Sequence, residues 1–163
     1  MQFRTKDFPL WPKASFFEEF EPGQTFDHHW GRTLTESDAV AFNSLTLGYN
    51  PLYVNDEYAR EIGHPRSPVN PYLAFLTVLG LSVEDTSEKN GGAFLSVEYV
   101  SFLEPVYPGD TITAHTTVHQ VRESKSRPMN GIVTWHTHGR NQHGTRVLEF
   151  SRTNLVQRRS EAR

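Results

Sequence analysis

The sequence predicts an α+β domain in which one curled antiparallel sheet wraps around a buried central helix. Three observations carry this reading. The second half of the chain alternates apolar and polar residues through four long runs, as half-buried strands do. The middle holds a helix-length segment, Tyr72 to Leu81, that is apolar on every face and so requires other structure around it. One further strand-like run precedes the helices, and 163 residues suffice for one core rather than two.

Taken in order, residues 1–22 are rich in Phe, Pro and Lys without a clear period. They read as an arm anchored by Phe3, Phe8, Trp11, Phe16 and Phe17. The body spans residues 23–159, and residues 160–163 form a tail. Gln24 to Leu34 reads as the first strand. Thr35 and Asp38 then have the spacing of a capping box, opening a short amphipathic helix through Ala39, Val40, Phe42 and Leu45 that stops at Gly48. Asn50-Pro51 marks a turn, and a second short helix runs from Asp56 to Ile62 and ends at Gly63.

Asn70-Pro71 supplies an N-cap followed by a residue whose missing N–H costs nothing at the first helical position. The central helix therefore starts at Pro71. After Gly91-Gly92 the period changes to two, giving strands over Phe94 to Phe102, Thr111 to Glu123, Ile132 to Gln142 and Arg146 to Gln157, expected as four consecutive antiparallel strands. A strand, helices and four more strands around an apolar helix describe a single hotdog fold.

Composition limits the function. A formal charge of −3 gives no net attraction to nucleic acid or to an anionic membrane. There is no cysteine and no apolar run near the ~20 residues that span a bilayer, so a soluble cytoplasmic protein is expected. No Gly-rich phosphate loop, Gly-x-Ser-x-Gly elbow or thiol nucleophile is present. His136 and His138 share a strand face, as do His115 and His119, but no third ligand stands at a diagnostic spacing. No metal and no cofactor are expected.

The loop Gly48-Tyr49-Asn50-Pro51-Leu52-Tyr53, pinned between helices, resembles the catalytic motif of the MaoC-like acyl-CoA hydratases and dehydratases, Gly-Asp-x-Asn-Pro-(aliphatic)-His. Trp30 to Thr33, Gly80 to Ser82, Pro105-Val106 with Gly109-Asp110-Thr111, Ser124 to Pro128, Gly131 to Thr134 and Asn141-Gln142 extend the likeness, most of all to the branch acting on mesaconyl-CoA and itaconyl-CoA type substrates. It covers about Phe17 to Arg159.

That resemblance implies reversible addition of water to a 2-enoyl thioester, with coenzyme A thioester as substrate and no other cofactor. The family's catalytic Asp falls on Gly48 and its His on Tyr53, so neither role carries over. Tyr53 is expected to act as acid or orienting donor, since phenol is a weak base at its ordinary pKa, with Asn50 beside it and His64 as the nearby group suited to general base work. Gly48, Tyr49, Asn70, Tyr72 and Leu73 are expected to line the substrate site, the N–H of Tyr72 or Leu73 serving the thioester oxygen. Arg122, Lys125, Ser126 and Arg127 gather cations and a hydroxyl suited to the phosphates of coenzyme A.

Two rival expectations stand beside hydration. A hotdog protein could keep the pocket as an inactive or repurposed thioester-binding module, or run a biosynthetic dehydration or cyclisation in which the substrate supplies the base. Since a hotdog sheet leaves an edge open, a homodimer at least is expected.

Overall fold

A computed structural model describes residues 16–88 and 91–159. Its sheet is built from β1 (Thr25–Thr33), β2 (Gly91–Phe102), β3 (Thr111–Glu123), β4 (Asn130–Arg140) and β5 (Arg146–Gln157), and its helices are α1 (Glu36–Leu45), α2 (Asp56–Glu61), α3 (Pro71–Leu81) and α4 (Val83–Thr86). The capping box holds: Asp38 N–H donates to Thr35 Oγ1 at 3.1 Å and Thr35 N–H to Asp38 Oδ2 at 2.9 Å. Helix α1 ends at Leu45, earlier than Gly48, and Leu47 takes the left-handed conformation at φ 56° that glycine usually fills after a helix.

All pairings are antiparallel, in the order β1-β3-β4-β5-β2. The four later strands are therefore not four consecutive neighbours. β2 crosses to the far edge and pairs with β5, because Leu103 to Asp110, with Pro105 and Pro108, forms a crossover rather than a tight hairpin. The outer edge of β2 is open.

Helix α3 lies on the inner face of the sheet. Ala74 and Val78 pack with Ile112, Ala114, Leu148 and Phe150, and the Phe75 and Phe150 rings meet edge-on at 5.0 Å. Helix and sheet approach closely at Gly139, where a Cβ would stand 2.5 Å from Val78 Cγ2. Beyond the helix a second apolar cluster joins Phe17 and Phe20 to Val118, Val133, Trp135 and Val156. Phe3, Phe8 and Trp11 lie outside the described residues.

A polar layer separates the two clusters. His28 on β1 bonds Asp85 of α4 at 2.5 Å and Thr116 of β3 at 2.8 Å, and Thr116 meets Thr137 of β4 at 2.9 Å. Arg152 of β5, 1% exposed, donates to Ser82 O at 3.1 Å and to Thr86 Oγ1, with its guanidinium over the Trp135 ring. Helix α4 is thus held by polar side chains rather than by an apolar face.

The expectation that α3 is enclosed on all sides is corrected. Tyr72 is 62% exposed and Leu76 48%, because one sheet covers only one side of the helix. Among the described residues no helix is long and apolar enough to cross a membrane.

Candidate active site

A cavity of about 240 Å³ opens where α3 begins. Three segments converge on it: the turn carrying Leu52 and Tyr53, the stretch from His64 to Pro71, and the crossover from Phe102 to Val106, over a floor that includes Ala74 and Leu148. The backbone explains the convergence. Asn50 caps a single 3-10 turn, Pro51–Tyr53, by accepting Leu52 N–H at 3.0 Å, which presents Tyr53. Gly63, at φ 98°, reverses the chain after α2. Val69 N–H then bonds Val106 O at 2.7 Å, laying the His64 segment against the crossover.

His64 is half-buried, and its Nδ1 lies 2.9 Å from the Tyr107 hydroxyl. Tyr107 is itself held in a turn, its N–H donating to Asp110 Oδ2 at 2.8 Å. Burial, with a smaller contribution from Asp110, raises the Tyr107 pKa above its ordinary value. Tyr53 is also raised, by burial first and by neighbouring Tyr72 second. Both phenols stay protonated near neutrality, so Tyr53 can donate a hydrogen bond but is a poor base.

Tyr53 and His64, predicted from sequence, therefore share one cavity. The other expected site residues do not line it. Asn50 is exposed and spends its side-chain oxygen on the Leu52 cap. Tyr49 is 71% exposed. Leu73 packs against the core cluster, and Tyr72 sets its ring edge-on to Phe102 at 5.7 Å. Gly48 is walled in by a buried amide pair: a Cβ there would meet Asn43 Oδ1 at 3.1 Å and Asn70 Nδ2 at 3.4 Å, and those two atoms bond each other at 3.0 Å.

The expected oxyanion donors are occupied as well. Asn70 accepts Tyr72 N–H on its side chain at 3.1 Å and Leu73 N–H on its backbone oxygen at 2.9 Å. A strong N-cap has taken the free N–H groups that a thioester oxygen would need.

Arg122, Lys125, Ser126 and Arg127 lie toward the opposite end of the sheet, in or beside the exposed β3–β4 turn. Ala114 neighbours the cavity floor at Leu148 through Gly139; from Ala114 to Arg122 the strand runs roughly 26 Å at ~3.3 Å per residue. Within one chain the cluster does not meet the cavity. Arg122 instead joins Glu98 and Tyr99 around a shallow polar depression on the outer sheet face. Among the described residues, no group of three or more His, Cys, Asp or Glu could hold a metal ion. His115 faces His138 across the strands, with ring centroids 4.8 Å apart, rather than pairing with His119.

Sequence reading missed two residues. Glu104 lines the cavity, and Tyr107 holds His64. Both sit in the crossover about fifty residues beyond the motif loop, and the likeness at Pro105-Val106 and Gly109-Asp110-Thr111 was the signal near them.

Comparison with known proteins agrees with this architecture. The profile described as mesaconyl-CoA hydratase matches residues 9–163. The mesaconyl-CoA hydratase of Haloarcula marismortui is 38% identical over 151 residues, which is 92% of this chain and 42% of that protein. A solved MaoC domain protein dehydratase from Chloroflexus aurantiacus superposes with a TM-score of 0.84 at 34% identity, over 90% of this chain and 41% of that one. A Mycobacterium tuberculosis protein described as a double hotdog fold superposes at 0.82 with 21% identity, over 92% of this chain and 46% of that one, and shows the shared fold. The chain spans about two fifths of the length of the mesaconyl-CoA hydratases it matches. With a match over nearly its whole length and a single five-stranded hotdog sheet around α3, this chain belongs to the mesaconyl-CoA hydratase family of MaoC-like proteins.

Proposed function

We propose that the chain is a hydratase or dehydratase of 2-enoyl-CoA thioesters, with a small branched dicarboxylic acyl group such as that of mesaconyl-CoA as its substrate. The observation that carries the reading is the cavity at the start of α3, where an apolar floor and two proton-carrying side chains, Tyr53 and His64, meet at the family's motif loop. An apolar pocket excludes bulk water and strengthens the polar contacts made inside it. Tyr53 would orient the substrate or its water, and His64 would exchange the proton. The absence of cysteine suits the reducing cytoplasm, where we place the activity.

Loss of enoyl absorbance on a panel of 2-enoyl-CoA esters that includes mesaconyl-CoA tests this. Turnover by the wild type is expected, with kcat lowered on the order of 100-fold or more in His64→Ala, the usual scale of a lost general acid or base, and about tenfold in Tyr53→Phe, the scale of one lost orienting hydrogen bond. No turnover of any thioester, with tight thioester binding retained, would sink the activity. A second reading would then stand, a binding module without chemistry, which the walled-in Gly48 and the occupied N–H groups of α3 favour.

We also propose a homodimer formed along β2. That strand is an open edge, and it exposes Phe94, Leu95, Tyr99 and Phe102, an arrangement that invites pairing with a second copy. Light scattering at micromolar concentration should give twice the 18.7 kDa chain mass; a monomer there counts against it.

A further inference from the structure

We propose that Glu104 and His64 form the acid–base couple of the cavity, with Tyr107 as the positioning residue of His64. The proposal rests on the hydratase reading and supplies what the motif loop lacks, a second group able to hold and release a proton. Around this cavity Gly48 offers no side chain, and Asn43 and Asn70 bind each other. The titratable groups that line it are Tyr53, His64 and Glu104. They arrive from three separate segments, and the crossover that brings Glu104 is fixed at both ends: Glu104 N–H bonds Val147 O at 3.3 Å, and Val106 O receives the His64 segment through Val69 N–H.

The Tyr107 contact sets which face of the imidazole works. In the proposed couple Tyr107, its hydroxyl 2.9 Å from Nδ1, accepts an Nδ1–H bond, an arrangement open to the ring both neutral and protonated. That leaves Nε2 as the atom that gains and loses the catalytic proton.

The couple carries one proton in its working state, on His64, with Glu104 ionised. As a water oxygen bonds to C3 of the enoyl thioester, its proton passes to the Glu104 carboxylate. The π electrons move toward C2 and the thioester carbonyl, and C2 takes the proton from Nε2. One C–O and one C–H bond form, the carbon–carbon π bond is lost, and a proton has moved from His64 to Glu104. Exchange through water returns it, and dehydration is the same sequence reversed.

The test uses the full chain and whichever thioester the wild type turns over. Wild-type kcat should follow a bell in pH, falling on the acid side as Glu104 protonates and on the alkaline side as His64 loses its proton. Glu104→Gln should lower kcat on the order of 100-fold with KM within threefold and lose the acid limb. His64→Gln should lose the alkaline limb. Tyr107→Phe should lower kcat about tenfold and displace the alkaline limb, which a purely structural role would leave in place. A second readout needs no turnover: by NMR, the His64 imidazole resonances should move in Glu104→Gln, since the two side chains line one cavity. Unmoved His64 resonances, or a Glu104→Gln variant with full kcat and both limbs, overturn the couple. Absent turnover together with moved resonances would instead count against the hydratase reading alone.

Discussion

Asp85→Ala is expected to lower the unfolding free energy by roughly 2–3 kcal/mol, the upper end of the cost of leaving a fully buried donor without its partner. His28 sits in the polar layer with its side chain 1% exposed, and Asp85 Oδ2 is 2.5 Å from its Nδ1. Burial first, with the positive charge of Arg152 and His115, lowers the His28 pKa against the opposing pull of the Asp85 carboxylate, so the ring is neutral. The bonds then run in one direction: Nδ1–H donates to Asp85, the Thr116 hydroxyl donates to Nε2, and the Thr137 hydroxyl donates to Thr116. Removing the carboxylate strands the buried Nδ1–H of His28. Asp85→Asn keeps an acceptor for Nδ1–H and should cost about 1–2 kcal/mol. Urea unfolding at pH 7.5 reads both as a shift in midpoint at constant slope. A loss under about 1 kcal/mol in Asp85→Ala would show that water reaches the pair.

The same layer marks how far the sequence could be read. Local signals were legible because they act over a few residues: the Thr35–Asp38 box, the Asn70-Pro71 start of α3 and the period-two runs all correspond to observed elements. Pairing was not legible. Alternation sets which side chains share a face but carries no information on which strand lies beside which, so the crossing of β2 to the far edge had no local signal. The His28–Asp85 contact spans 57 residues and the Arg152–Thr86 contact 66, far beyond any spacing rule.

The site divided in the same way. Tyr53 stood out as the last residue of the motif loop and His64 as an imidazole shortly before α3, and the two line one cavity. Asn70 was legible as a cap, and that role is why it and the first N–H groups of α3 are unavailable to substrate. Arg122 to Arg127 formed a cluster in sequence, yet strand length carries it away from the cavity. Glu104 and Tyr107 came to the site only through the crossover, which the sequence presents as a proline-rich connection.

Acid should unfold this protein partly through one histidine on the outer sheet face. His138 is 6% exposed, and its Nε2 accepts a hydrogen bond from Arg140 Nε at 3.1 Å, a bond that protonation would abolish. Burial, then the positive neighbours Arg146, His115, Arg140 and His136, push its pKa down to about 4 from the ordinary 6.5. The unfolded chain takes up a proton near pH 6.5 that the folded chain refuses until about pH 4. Stability from this group is therefore complete above pH 6.5 and lost as pH falls through that window, at about 1.4 kcal/mol per pH unit and on the order of 3 kcal/mol in all. His28, also lowered, acts in the same direction. In His138→Gln the amide oxygen can still accept from Arg140, but nothing at that position titrates. Its unfolding free energy at pH 7.5 should stay within about 1 kcal/mol of wild type, while the decline between pH 6.5 and 4 becomes shallower by about one proton. Equal acid slopes in the two proteins would show that His138 is protonated in the fold, and that the Arg140 bond does not hold it neutral.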